Sequence, residues 1–458
     1  MKISKIEIKD FHQFKDLTID LTYPKGHAKE GQPLSKVCFI GQSGTGKTSI
    51  LELIPKFLYN YDTQLIEKSN YDLNLENIEI TVVFGNKNEY ESKIRFNSHK
   101  GNREYLSGWE WGENKHANEE VNYEIVADFL DNKWINGTST KPIYFPANLN
   151  FDMEIKMGDS LIDTEIIDFS TQKVALVWNL ILEKVKKYQE KELQIRQELS
   201  KIVEQYSDNL DIIRTELKKL EDWKEREFNP IKDIADHCLD ELLLPFKLKV
   251  KTELDIKIKD DIGFIKLVDV AKKEIPDSLW STGTKQVVLS AMPLYLLKPN
   301  HTIILFDEPE RSLYPDMQRF IVEYYSSFTK KCQFIYATHS PIIASNFEPW
   351  EIVELKFNEA GKIYRELYYD GENHINNYKW NPRYMRWDDI LQRIFDMESD
   401  GSPARKQKLD ELAMNNVKFK KLKQAGKEDS DEAKSILKNI SHLSKDLSQW
   451  DLKNYAKD

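Results

Sequence analysis

The sequence predicts an α/β fold, and three observations carry that expectation. An apolar run, Val37-Cys38-Phe39-Ile40, leads into a glycine-rich turn and then a helical stretch from Thr48 to about Tyr59. A second apolar run, Ile303-Ile304-Leu305-Phe306, ends in Asp307-Glu308-Pro309-Glu310. Between them, residues 172–228 lose Gly and Pro altogether and fill with Glu, Lys and Gln, the composition of an inserted helical arm.

Length and composition bound the rest. A chain of 458 residues can bury a large core and divide into two or three structural units. Hydrophobic residues are 40% and charged residues 31%, which predicts a soluble protein with long polar helices. No run of about 18 apolar residues occurs, so no membrane span is expected. Met1-Lys2-Ile3-Ser4-Lys5-Ile6 has no signal-peptide core and reads as a first strand. Cys38, Cys238 and Cys332 each fall in apolar segments without C-x-x-C pairing, as buried thiols of a reducing, cytoplasmic setting would. A net charge of −10 argues against indiscriminate nucleic-acid binding over the whole surface.

In chain order, Ile3, Ile6 and Ile8, then Leu17, Ile19 and Leu21, alternate as two strands of a hairpin around Phe11-His12-Gln13-Phe14. Residues 23–35 form a Gly- and Pro-rich loop, Val37–Ile40 a buried strand, and residues 75–145 antiparallel strands that include Ile78, Ile80, Val82 and Phe84. The aromatic stretch Tyr105–Trp111 is assigned to sheet packing. From Val185 to Leu220, apolar residues recur at spacings of three, four and seven with a phase shift near Tyr206. That pattern allows a continuous helix on the order of 75 Å long, or a turn at Ser207-Asp208-Asn209 and a short hairpin. Pro230 ends it. The expected units are an N-terminal lobe over 1–171, the insertion over 172–228, a C-terminal lobe over 229–371, and a helical extension over 372–458. The extension opens on the basic and aromatic run Tyr378–Trp387 and turns mildly basic after Gly401.

The chemistry concentrates in four runs. Gly41-Gln42-Ser43-Gly44-Thr45-Gly46-Lys47-Thr48, followed by Ser49, fits the phosphate-cradling pattern G-x-x-x-x-G-K-[ST]. Its glycines let backbone N–H groups converge on phosphate oxygens, and the following helix aims its N-terminus at the same charge. Lys47 would bridge the β- and γ-phosphates of ATP and the Thr48 hydroxyl would ligate Mg²⁺. Asp307 would hold Mg²⁺ through its water shell, and Glu308 would be the general base for the attacking water. Ser281-Thr282-Gly283-Thr284-Lys285-Gln286 offers a hydroxyl, a glycine N–H and a helix start, a second anion cradle. His339 closes the strand Phe334-Ile335-Tyr336-Ala337 and is placed at the γ-phosphate. An ATPase follows from these four runs together.

These residues resemble the ATP-binding-cassette (ABC) superfamily, and more narrowly its SMC-like and RecF-like soluble branch, over roughly residues 1–60 and 270–350. The resemblance implies an ABC-type P-loop head split by a coiled-coil insertion, closing head to head as a homodimer around two Mg-ATP. It implies that the cradle at Ser281 and Gly283, with Lys285 and Gln286, serves the partner subunit's γ-phosphate. Ser312-Leu313-Tyr314-Pro315 matches the D-loop and His339 the switch histidine. Two departures stand out: His12 occupies a hairpin position where relatives often carry Arg, and Asn148 is the nearest substitute for a missing metal-binding glutamine. Within that branch, the short insertion, the Tyr144-Phe145-Pro146-Ala147 segment and the helical extension resemble ATPases of bacterial anti-phage systems. Septu-type systems, with a separate HNH nuclease, come first and PARIS-type systems, with a separate Toprim nuclease, second. That implies a larger homo-oligomer, a nuclease partner in trans, and a DNA or phage-protein trigger.

Two alternatives are distinguishable. A self-contained nuclease needs clustered acids at strand ends, but Glu351, Glu354, Asp388-Asp389 and Glu398-Ser399-Asp400 do not follow that pattern. A repair ATPase that clamps DNA would use Lys379–Trp387 on phosphates and bases. The same run equally suits a protein interface.

Overall fold

The computed structural model describes residues 1–59, 78–86, 89–97, 108–111, 141–152, 166–253, 265–369, 371, 375–397 and 401–454. Much of the predicted strand region between 98 and 140, including Tyr105–Ser107, lies outside these residues, as do Glu398 and Asp400. The chain falls into two compact units, Met1–Met385 and Arg386–Asp458.

The first unit is a mixed α/β P-loop ATPase fold. Its strands are β1 (Lys2–Phe11), β2 (Phe14–Asp20), β3 (Lys36–Gly41), β4 (Ile78–Asn86), β5 (Glu89–Asn97), β6 (Gly108–Trp111), β7 (Ile143–Phe145), β8 (Ile167–Asp168), β9 (Leu248–Val250), β10 (Leu267–Asp269), β11 (Glu274–Ile275), β12 (Ile303–Asp307), β13 (Gln333–Ala337), β14 (Ile352–Phe357) and β15 (Ile363–Glu366). The central sheet runs β15-β14-β3-β13-β12-β7-β8. All of its neighbours are parallel except the β14–β15 pair. An antiparallel sheet, β2-β1-β4-β5-β6, carries the predicted N-terminal hairpin, and β9–β11 form a third. β3 and β12 are not adjacent: β13 lies between them, so residues from three strand ends meet on one edge.

Strands β3, β12 and β13 are buried along nearly their whole length, which is why they read as unbroken apolar runs. On one face, Val37, Phe39, Leu305 and Ile335 join Ile50, Leu51 and Ile54 of α1 (Lys47–Tyr59) and Ile3, Ile6 and Ile19 of the hairpin in a single core. On the other, Phe306 stacks on Phe145 at 4.4 Å and lies near-parallel to Tyr336 and Tyr325. The two sheets are fastened through Gln333, a fully buried amide. Its Oε1 accepts from Ile3 N at 2.7 Å, and its Nε2 donates to Ile3 O and Leu34 O, each at 2.9 Å.

The insertion is a hairpin and not a continuous rod. α2 (Asn179–Gln205) and α3 (Leu210–Arg226) are joined at Tyr206–Asn209, and Asn209 caps α3 through Ile212 N. The phase shift in the heptads marks this turn. Tyr188 stacks on Trp223, and the buried Glu192 accepts from Arg196 and Lys224. Tyr206 and Leu210, at the far end, are exposed. In the basic and aromatic run, Arg383 and Asn381 bind Glu348, and Tyr378 packs on Trp350. These side chains are spent inside the unit on holding the chain after β15. Cys38, Cys238 and Cys332 are buried and unpaired.

The second unit is helical. Helix Trp387–Arg393 precedes α5 (Pro403–Gln424) and α6 (Asp431–Asn454); the remaining long helix of the first unit, α4, spans Thr282–Leu297. Lys408 pairs with Asp446 across α5 and α6 at 2.7 Å, and Ser402 and Ser430 cap their starts. Gly426 sits at φ +67° in the turn between them, a conformation that costs glycine nothing.

Gln333→Leu strands three buried backbone groups at the sheet junction. At roughly 1–3 kcal/mol for leaving a buried group unsatisfied, urea unfolding should show a loss of about 3 kcal/mol. A loss below about 1 kcal/mol would mean that the amide is not what holds the two sheets together.

Candidate functional site

The register of the central sheet sets the site. Asp307 pairs with Ala337, Ala337 with Phe39, and Leu355 with Gly41. The last residues of β3, β12 and β13 therefore stand side by side at the carboxyl edge, where parallel α/β sheets place their ligands.

The turn after β3 is built for close backbone approach. Gly41, Gly44 and Gly46 have φ of +142°, +86° and +81°. A Cβ on Gly41 would lie 2.2 Å from Leu355 O, and one on Gly46 would meet the Phe14 ring at 2.3 Å and Gln13 Nε2 at 2.4 Å. The hairpin tip therefore rests on the turn, with Gln13 as a neighbour that sequence reasoning passed over. Gln42, Ser43 and Thr48 are exposed, Ser49 is half-buried, and Thr45 is tied by its hydroxyl to Gln42 O at 2.8 Å. Lys47 Nζ donates to Gly41 O at 2.9 Å and Gln42 O at 3.1 Å. The ammonium is thus held over the concave side of the turn.

Thr48 Oγ1 donates to Asp307 Oδ1 at 3.1 Å, so a hydroxyl and a carboxylate meet at the start of α1. These are hard oxygen donors, and beside a turn whose Gly41 and Gly46 leave no room for a Cβ they suit a divalent cation carrying a phosphate chain. Burial pushes Asp307 up to about 6, helped by Glu308 and Glu52 and opposed by the Thr48 hydrogen bond and Lys47. Burial pulls Lys47 down to about 8, against the pull of Glu308, Asp307 and Glu310. His339 is lowered by burial and then by the Lys47 charge, with Glu308 opposing. Lys47, Asp307, Glu308 and His339 therefore share one electrostatic neighbourhood.

Glu308 stands at φ +46°, and its N–H donates to Ala337 O at 2.8 Å. Asn148 does not stand open: its Oδ1 accepts from Arg311. His12, at φ +50°, packs edge-on against Phe11 at the hairpin tip.

The second cradle lies at the start of α4. Ser281 caps α4, its Oγ accepting from Thr284 N at 3.1 Å. Gln286 is buried and Lys285 half-buried. A Cβ on Gly283 would lie 2.6 Å from Ser312 O and 3.4 Å from the Phe246 ring. Gly283 and Ser312 are thus brought together. No described hydrogen bond joins either to residues 41–48.

The Asp307 shift fixes a sign. A carboxyl whose pKa rises from 3.8 to about 6 on folding binds its proton more tightly in the folded state. Its burial penalty is therefore absent below about pH 4, grows between pH 4 and 6, and is complete above 6. Asp307→Asn should stabilise the metal-free protein at pH 7 by up to about 3 kcal/mol and change little at pH 4. Equal melting shifts at the two pH values would contradict this account.

Residues 1–344 match the family described as AAA ATPase domain. No curated protein matches the chain. Among solved structures, the chain is similar to the Smc head domain of Pyrococcus furiosus with an extended coiled coil, bound to the C-terminal domain of ScpA. That likeness has 16% identity and a TM-score of 0.41, and covers 80% of this chain and 96% of that one. It is also similar to the SMC head domain from Thermotoga maritima, at 11% identity and a TM-score of 0.37, over 80% of this chain and 99% of that one. With a P-loop, a strand-end acid pair and a family match spanning most of its length, the chain belongs to the AAA ATPase domain family.

Proposed function

We propose that this ATPase closes head to head as a homodimer around two Mg-ATP, and that the closed and open states switch a separate nuclease in anti-phage defence. The observation that carries the dimer is the second cradle. Gly283 packs on Ser312 and the Phe246 ring, and apolar residues two positions from Ser281, Ser312 and Phe246 are exposed: Leu279 at 73%, Tyr314 at 71% and Leu244 at 60%. An anion cradle flanked in sequence by exposed apolar residues suits the nucleotide of a second copy.

In this reading each side chain has one task. Lys47 leaves the turn carbonyls to bind the β- and γ-phosphates, and Thr48 and Asp307 hold Mg²⁺, which neutralises phosphate charge. Glu308 orients the attacking water and accepts its proton. His339, whose proton affinity burial and Lys47 lower, donates a hydrogen bond to the γ-phosphate edge. The partner copy's Ser281 and Gly283 complete the cage, with Lys285, Gln286 and Ser312 behind them. Support for the effector reading is the likeness of Tyr144–Ala147, the short helical insertion and the helical second unit to defence ATPases.

Lys47→Ala should abolish nucleotide binding. Glu308→Gln should bind ATP, lose hydrolysis by roughly 10²-fold or more, and run as a dimer by light scattering with ATP but not ADP. Parent-like turnover in Glu308→Gln would remove Glu308 as the base. Affinity capture of the ATP-bound Glu308→Gln protein from cells carrying its own operon should recover a stoichiometric nuclease. Recovery of DNA alone would favour a DNA clamp.

A further inference from the structure

We propose that Glu310 is a positioning residue for hydrolysis: it stitches the loop carrying His339 to the loop carrying Glu308. This rests on the reading of Glu308 and His339 given above.

Glu310 Oε1 accepts twice, from Thr338 Oγ1 at 2.6 Å and from the backbone N–H of His339 at 3.1 Å. Thr338 Oγ1 in turn accepts from Ser340 N at 2.9 Å. Ser340 Oγ donates to Gln318 Oε1 at 2.6 Å, and Gln318 Nε2 donates to Leu313 O at 2.9 Å. The loops after β12 and β13 are thus tied at both ends of the acid run, with Glu308 N on Ala337 O as the first tie. The second oxygen of Glu310, Oε2, is buried with no partner among the described residues. A carboxylate in such a place costs free energy unless its hydrogen bonds repay it. Its two donors both belong to the His339 loop. The carboxylate therefore fixes where the imidazole stands relative to Lys47 and Glu308, and shifts of about 1 Å at such a distance from the chemistry cost on the order of 10²-fold in rate.

Three variants separate positioning from bulk structure. Glu310→Gln keeps the accepting oxygen and should hold kcat within about threefold of the parent. Glu310→Ala removes it and should lose roughly 30- to 100-fold in kcat, and Thr338→Val should lose roughly tenfold. Affinity for a fluorescent ATP analogue should be unchanged in all three, because Lys47 and the glycine turn are untouched. In a His339→Ala background, Glu310→Ala should cost almost nothing more, the non-additivity expected of groups acting through one another. Parent-like kcat in Glu310→Ala, equal losses in Glu310→Gln and Glu310→Ala, or an undiminished loss on His339→Ala would each overturn the inference. Should Glu310→Ala not fold, Thr338→Val carries the same test, read as kcat against affinity. If Glu308→Gln and His339→Ala both hydrolyse like the parent, the underlying site reading fails. If both are impaired while Glu310→Ala is not, only this inference falls.

Discussion

The alignment of three parallel strands governs the carboxyl edge of the central sheet. β13 lies between β3 and β12, and its pairing with both sets Ala337 level with Asp307 and Phe39. A parallel sheet buried on both faces has little freedom to slip, because a one-residue shift would exchange the side chains fitted to the packing on each face. Phe306, Phe145 and Tyr336 stack on one side, and Leu305 and Ile335 enter the core on the other. The Thr48–Asp307 contact is a by-product of that registration. The burial that secures the strands also desolvates Asp307 and Lys47, so packing and electrostatics at this edge have one origin.

Much of this was legible from residue order. The hairpin at 1–22, the strand at Val37–Ile40, helix α1 and the strand before Asp307 are long apolar or alternating runs with clear punctuation, and each is present. The phosphate turn was readable because glycine spacing and a terminal Lys-Thr are local properties. Strand order was not, since the placement of β13 between β3 and β12 depends on pairings across hundreds of residues. The heptads of 185–220 allowed both a rod and a hairpin, because the apolar spacing is the same on either side of Tyr206. Contacts across the two helices, Tyr188 on Trp223, Glu192 with Lys224 and Lys191 with Glu227, decide between them.

The residues that sequence reasoning passed over share a cause. Glu310, Gln318, Gln333 and Gln13 are polar side chains whose meaning lies in the partner they reach, not in a spacing pattern. Gln333 opens an apolar strand and looks like a flaw in it until Ile3 and Leu34 are seen against its amide. Arg383 is a further case: set in a basic and aromatic run, its partner Glu348 lies 35 positions upstream and no spacing pattern points to it.

The folded-back arm has a mechanical consequence. α2 has 27 residues, so at about 1.5 Å per residue the arm reaches about 40 Å. Its lower part is stiffened by a ring stack and a buried carboxylate between two cations, while Leu210 at its end faces solvent. Such an arm is a short stiff lever, not a tether. A rotation of about 10° at its root would sweep the end through roughly 7 Å on that reach, with little compliance along the way to absorb the stroke. Any displacement at its root would therefore arrive at Leu210 at nearly full amplitude.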